Sequence, residues 1–223
     1  RGAYGELPAD AHPEWYPHYY QRTFHWQTDG WLSARSAELY DPGVEFLFMG
    51  TADVMRRMVI PALMAELQGV ERPRILDVAC GTGRFLRQLR AAHPDARLHG
   101  LDLSPYYIRH AAKVLGDAGD VSLVCDNAEA MPYADGQVDA VSSVFLMHEL
   151  PKDARRNVMR EVLRVLKPGG RFVICDALQL ADDSGIEPFL EDFHTTYHEP
   201  YFKGYLRDDL REALVGCGFE AVS

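Results

Sequence analysis

The sequence predicts an α/β fold, a doubly wound and mostly parallel sheet flanked by helices, and three observations carry that prediction. Ile75–Ala79 is an apolar run broken only by Asp77, with Pro73 before it and Gly81 and Gly83 after it, which reads as a buried strand entering a tight turn. From residue 73 onward, apolar runs of strand length alternate with segments of helical period, the pattern of a parallel sheet covered on both faces. Asp102 lies nineteen residues beyond Gly83, in Leu98-His-Gly-Leu-Asp-Leu103. A second parallel strand ending there would present an acid able to accept from ribose hydroxyls.

The elements follow in order. Residues 1–72 read as a helical and aromatic arm, in which Pro8, Pro13 and Pro17 are interleaved with Trp15, Tyr16, Tyr19 and Tyr20 and followed by Phe24, His25, Trp26 and Trp31. Periodic apolar positions predict helices over 31–40 and 44–70, with a kink or break at Pro61. Strands are expected near 74–79, 97–102, 121–125, 138–145 and 171–176, with helices near 83–92, 104–115 and 152–166. An insert over 177–205 carries Phe189, Phe193, His194, Tyr197, His198, Tyr201 and Phe202. Leu206–Val215 reads as an amphipathic helix and Gly218-Phe219 as the start of a sixth strand. The arm (1–72) packed on the core (73–223), with the insert as a substrate cap, is expected to make one structural domain.

Bulk properties narrow the function. A chain of 223 residues can bury a substantial core. Thirty-three acidic against 23 basic residues, net −10, argue against a broad phosphate-binding face and so against nucleic-acid partners. No apolar run approaches the roughly 18 residues that span a bilayer, so no membrane partner is expected. Cys80, Cys125, Cys175 and Cys217 form no close pair, which fits a reduced, cytoplasmic setting.

Asp77-Val-Ala-Cys-Gly-Thr-Gly83 lacks the third glycine of a dinucleotide fingerprint, because Arg84, Phe85 and Leu86 follow; a nucleoside without a pyrophosphate fits this turn better. The segment resembles the first motif of the class I S-adenosylmethionine-dependent methyltransferases, in their small-molecule type 11 group, with Ala79 in place of the usual first glycine. Leu101-Asp-Leu-Ser104 is similar to the family's ribose-binding segment and Cys125–Tyr133 to its adenine loop. Val138-Asp-Ala-Val141 is similar to its fourth-strand entry, and Leu163–Phe172 to its helix-to-fifth-strand turn. The resemblance implies a Rossmann-like core, S-adenosyl-L-methionine as cofactor, and methyl transfer to a small-molecule acceptor at oxygen, carbon or nitrogen. A non-catalytic regulator that binds the cofactor, or a member using the fold for other chemistry, stays open beside it.

The same resemblance assigns candidate residues. Ala79, Cys80, Gly81, Thr82 and Gly83 would surround the methionine part of the cofactor, with Asp77 orienting the turn or reaching the ammonium through water. Asp102 would hold the ribose, Asp126 and the N–H of Asn127 would read adenine, and Leu103 and Met131 would wall the ring. Val144 would close the end of the fourth strand. His148, in Phe145-Leu-Met-His-Glu-Leu-Pro151, is the candidate base, because an imidazole titrating near neutrality can take a proton from the acceptor; it reads equally as a helix cap or pocket lining. Tyr20, His25, His194, His198 and Tyr201 are candidate acceptor-binding groups, because arm and insert share a mixture of aromatic bodies and polar tips suited to a lid over one cavity. His194 and His198 lie four apart, but no second histidine-bearing element accompanies them, so no metal site is expected.

Overall fold

The computed structural model describes residues 11–27, 29–182, 185 and 187–223, apart from the side chains of Phe189 and Glu191. Pro8 of the arm therefore lies outside the described residues. The core strands are β1 (Arg74–Val78), β2 (Arg97–Asp102), β3 (Val121–Cys125), β4 (Val138–Val144) and β5 (Leu166–Cys175). All pair in parallel, in the order β3-β2-β1-β4-β5. The chain winds outward from β1 to β3, then restarts at β4 on the other side of β1. This reversal leaves a crevice beyond the carboxyl ends of β1 and β4, where ligands of such sheets bind.

Burial on both faces explains why β1 is so apolar. Leu76 and Val78 point into one core with Leu101, Val141, Val158 and Val162. Ile75 points to the opposite core with Leu98, Ala140, Leu86 and Leu89. The second core is closed by α4 (Arg84–Ala92) and α5 (Pro105–Leu115), the first by α6 (Lys152–Val165). Ser104 caps α5 by accepting from Tyr107 N, with Pro105 in the first turn.

The arm supplies α1 (Ala34–Leu47), α2 (Ala52–Arg57) and α3 (Val59–Glu66). This corrects the expected 31–40 and 44–70. Helix α1 runs through Asp41-Pro42-Gly43, where Asp41 is anchored by Thr82 Oγ1 at 2.9 Å and Arg56 Nη2 at 3.5 Å. The breaks fall at Met49–Gly50, both left-handed with φ +51° and +81°, and at Met58. The second break agrees with the one expected at Pro61: its missing N–H would have met the carbonyl of Arg57, where α2 ends, so Pro61 is left in the first turn of a new helix.

The carboxyl-terminal part holds α7 (Glu187–Thr196), α8 (Phe202–Leu206) and α9 (Leu210–Cys217). The expected helix at Leu206–Val215 begins late because Asp209 caps it, accepting from Arg211 N and Glu212 N. The expected sixth strand does not form. Gly218 instead ends α9 in the left-handed conformation (φ 106°), Phe219 N bonds back to Leu214 O, and the Phe219 ring packs on Phe172. Strand β5 starts five residues before the expected 171, since Leu166 already pairs with Val138 and an irregularity between Val138 and Ala140 absorbs Lys167–Gly170. No helix among the described residues is long and apolar enough to cross a membrane.

Candidate active site

A cavity of about 850 Å³, its open mouth included, fills the crevice at the ends of β1 and β4. Its floor is the turn after β1. Ala79 takes φ +58°, a left-handed conformation that disfavours a side chain, and Gly81 (φ +54°) would leave an added Cβ no neighbour closer than 4.0 Å. Cys80 N donates to Leu101 O at 3.0 Å, tying the turn to the end of β2. Phe145, at φ +60°, mirrors Ala79 at the end of β4.

Asp102 organises one half of the cavity. Its carboxylate accepts from Gly81 N at 2.9 Å and Ser104 N at 2.8 Å. Burial raises the carboxyl to about 6, against the lowering effect of those two backbone donors. Each oxygen keeps a lone pair for a further donor. Asp126, Asn127, Ala128 and Leu103 continue this wall. Asn127 N is already engaged by the Asp126 carboxylate at 2.7 Å.

The structure brings Ala79, Gly81, Asp102, Leu103, Asp126, Asn127, Val144 and Tyr20 together around the cavity. It places other candidates behind it. Asp77 is buried beneath the turn, accepting from Ser142 Oγ at 2.8 Å, and burial pushes it up to about 7. The Cys80 side chain is buried against β2, where a Cβ on Gly100 would meet its sulfur at 2.8 Å. Thr82 is buried and turned to Asp41 of α1. Gly83 opens α4 at φ +75°, where a Cβ would meet Ala111 Cβ at 3.0 Å. Met131 belongs to the core under the sheet.

The opposite half is walled by the arm: Tyr19, Tyr20, Phe24, Trp31 and Tyr40 face the cavity with Tyr107, Phe145, Leu146 and Glu149. Bonds that hold the arm there include Tyr19 Oη to Glu129 Oε1 at 2.7 Å, Ser104 Oγ to Trp31 O at 2.6 Å, and Ser36 Oγ with Tyr107 Oη at 2.9 Å. The insert forms a second layer and is not itself a wall. Tyr201 packs edge-on against Tyr19 and donates to Tyr19 O, with Arg22 over its ring. His198 packs at a tilt on the exposed Trp26, and His194 shares a hydrogen bond with Thr195. The arm and the insert, expected to close together over one cavity, are thus stacked, with the arm at the cavity and the insert packed outside it.

His148 also lies one layer behind the wall. Its Nδ1 meets Asp176 Oδ1 at 2.5 Å, and its Nε2 lies 3.5 Å from Glu149 Oε1. Burial opposes protonation of this ring, but Asp176 and Glu149 outweigh it and hold it well above the usual histidine range. The residue that reaches the cavity is its neighbour Glu149, whose Oε1 also bonds His25 Nε2 at 2.7 Å. Sequence reasoning missed Glu149 and the aromatic wall of Phe24, Trp31 and Tyr40. Buried Arg155 fixes this turn, donating to Leu150 O at 2.6 Å and Met147 O at 3.1 Å and pairing with Asp208.

An acid-ended slot at one side, glycine backbone beneath and aromatic rings opposite suit a nucleoside joined to an amino-acid chain. Comparison with known proteins agrees. Residues 75–170 match the methyltransferase domain family, and over them the chain carries the domain of the class I S-adenosylmethionine-dependent methyltransferases. It is similar to the ubiquinone/menaquinone biosynthesis C-methyltransferase UbiE of Desulfotalea psychrophila, at 32% identity over 67% of this chain and 64% of that protein. It is also similar to the O-methyltransferase rstn1 of Aspergillus nomiae, at 33% identity over 56% of each. The matched segments thus span less than two thirds of these relatives. A Haloferax volcanii methyltransferase complex with the activator Trm112 contains a similar fold, with TM-score 0.63 and 22% identity over 85% of this chain and 77% of that one. S-adenosylmethionine is the family's cofactor, and the Asp102 carboxylate, held by Gly81 N and Ser104 N with lone pairs to spare, fits as acceptor for its ribose hydroxyls.

Proposed function

We propose that the protein transfers a methyl group from S-adenosylmethionine to a small organic acceptor held against the arm. One observation carries this reading: a single cavity joins the nucleoside end at Asp102 and Asp126 to an aromatic chamber closed by Tyr40, Trp31, Phe145 and Glu149. When bound, the cofactor supplies a methyl on a sulfonium whose leaving group is a neutral thioether, so no proton is needed on the leaving side. Asp102 would hold the ribose hydroxyls, the 79–81 backbone the amino-acid part, and Leu103 with Asp126–Ala128 the adenine. The chain's remaining work is alignment and exclusion of water. Tyr19, Tyr20, Phe24 and Tyr40 perform it by roofing the cavity with apolar ring faces. The chamber suits a flat acceptor with a polar group turned to Glu149, methylated at oxygen, nitrogen or an acidic carbon. His148 acts on this reading as a positioning residue that orients Glu149. A cytoplasmic metabolite fits a chain with a net charge of −10 better than a nucleic acid does.

The test is incubation with S-adenosylmethionine labelled in its methyl group and fractionated small metabolites. Label in a small organic product supports the proposal. Tight cofactor binding with no label transferred would replace it by the regulatory reading.

A further inference from the structure

In and behind the cavity wall lies a group of five ionisable side chains that cofactor binding leaves unexplained. They come from four parts of the chain: His25 from the arm, His148 and Glu149 from the turn after β4, Asp176 from the end of β5, and Glu199 from the link between α7 and α8. His25 sits between two carboxylates, with Nε2 at 2.7 Å from Glu149 Oε1 and Nδ1 at 3.7 Å from Glu199 Oε1. Glu149 in turn sits between two imidazoles, and Asp176 holds the second. Only Glu149 lines the cavity; Glu199 is 3% exposed, while the His25 side chain keeps 26% of its surface.

Charge and hydrogen bonding leave the cluster one proton short. Two imidazoles face three carboxylates, and both Glu149 Oε2 and Glu199 Oε2 are buried without a hydrogen-bond partner. Such carboxylates in one buried site relieve their repulsion by taking up a proton. We propose that this cluster is the proton acceptor of the reaction, with Glu149 receiving the acceptor's X–H at the cavity wall and the His25–Glu199 pair holding the proton afterwards. This rests on the methyl-transfer reading above. The balance closes: X bonds the methyl carbon as the C–S bond breaks, the electron pair of that bond stays on sulfur, and the X–H proton enters the cluster. It leaves through His25, the member of the cluster with the most exposed side chain.

The electrostatics agree with this division of labour. His25 and His148 are each raised by their carboxylates in spite of burial, and together they hold Glu149 down at about 2, so it stays an anionic hydrogen-bond acceptor. Burial pushes Glu199 up to about 7, where Glu149 and Asp176 raise it and His148 and His25 lower it. One site in the cluster, Glu199, is therefore poised to gain or lose a proton near neutrality, so it can store the proton that Glu149 passes inward through His25. The acceptor class that needs this station carries an ionisable X–H: a phenol, an enol or acidic carbon, or an ammonium.

The test pairs Glu199→Gln with His25→Gln. Infrared difference spectra of wild type against Glu199→Gln, both with S-adenosylhomocysteine bound, should show a protonated-carboxyl band in the wild type that vanishes as pH rises through about 7. Bands from other protonated carboxyls, Asp77 among them, occur in both proteins and cancel. With a labelled acceptor in hand, wild-type turnover should rise with pH through the same range. Both variants should lose that limb and fall by roughly 10²–10⁴-fold at neutral pH, recovering toward alkaline pH, with cofactor affinity kept. No difference band, or an unchanged pH profile in both variants, would overturn the proposal. If no acceptor is ever labelled, methyl transfer fails as a reading, and the band still decides whether the cluster stores a proton.

Discussion

Replacing Asp77 by asparagine should stabilise the protein above neutral pH. Asp77 lies 2% exposed beneath the glycine turn, its one hydrogen bond coming from Ser142 Oγ at 2.8 Å. Burial dominates its titration and, with the nearby Asp102, pushes it to about 7 from an ordinary 3.8, against lowering by Ser142 and Arg56. The folded protein thus binds this proton more tightly than the unfolded chain, and stability is lost as pH rises from about 4 through about 7. At about 1.4 kcal/mol per tenfold change in proton affinity, the full loss is on the order of 4 kcal/mol at pH 8. The asparagine side chain has nothing to ionise and still accepts from Ser142. Urea denaturation should therefore show Asp77→Asn more stable than wild type at pH 8 by a few kcal/mol, and nearly equal to it at pH 4. Asp102 and Glu199 are raised in the same direction, so some slope persists in the variant. Equal losses between pH 4 and pH 8 in both proteins would show that Asp77 is already ionised or solvated, and would refute the reasoning.

Three further outcomes follow from the same geometry. Asp102→Asn gives up a charged acceptor and should weaken S-adenosylmethionine binding by about 2–3 kcal/mol, some 30- to 150-fold, by calorimetric titration; unchanged affinity in a folded variant would remove Asp102 from the site. Arg155→Met strips the buried donors from Leu150 O, Met147 O and Asp208, and should lower unfolding free energy by about 3–5 kcal/mol, although Arg156 and Lys152 still reach Asp208. Gly100→Ala puts a Cβ within 2.8 Å of Leu86, Cys80 and Leu123 and should cost about 1–3 kcal/mol by the same assay; a neutral result would mean the two sides of β2 repack freely.

The proposed cofactor half of the site was legible in part, because its chemistry is local. A buried strand, a tight turn at Gly81 and an acid at the next strand end all follow from short stretches of sequence, and Gly81 and Asp102 do line the cavity; the left-handed Ala79 was not foreseen, and Cys80, Thr82 and Gly83 turn into the core instead. The other half depends on packing between distant segments. Nothing near Trp31 or Tyr40 announces that α1 will be fastened to α5 through Ser36 and Tyr107, which is what turns those rings inward. His148 drew attention as the titrating residue, yet the bond from Asp176, 28 residues away, turns it aside and leaves Glu149 at the wall. Gly218 shows a subtler limit. A glycine before an apolar residue reads as a strand entry, but here it closes a helix, a choice settled by the return bond from Phe219 to Leu214 and by the Phe172 ring. Pro61, by contrast, was legible, because the bond it cannot make to the carbonyl of Arg57 falls where α2 ends.

The claim that one cavity spans cofactor and acceptor is tested most directly by a crystal structure of the protein with S-adenosylhomocysteine bound. The account predicts the ribose hydroxyls on the Asp102 carboxylate, the adenine between Leu103 and the 126–128 segment, and the sulfur facing the chamber of Tyr40, Phe145 and Glu149. A ligand seated away from the β1 turn, or a sulfur walled off from Glu149, would contradict it.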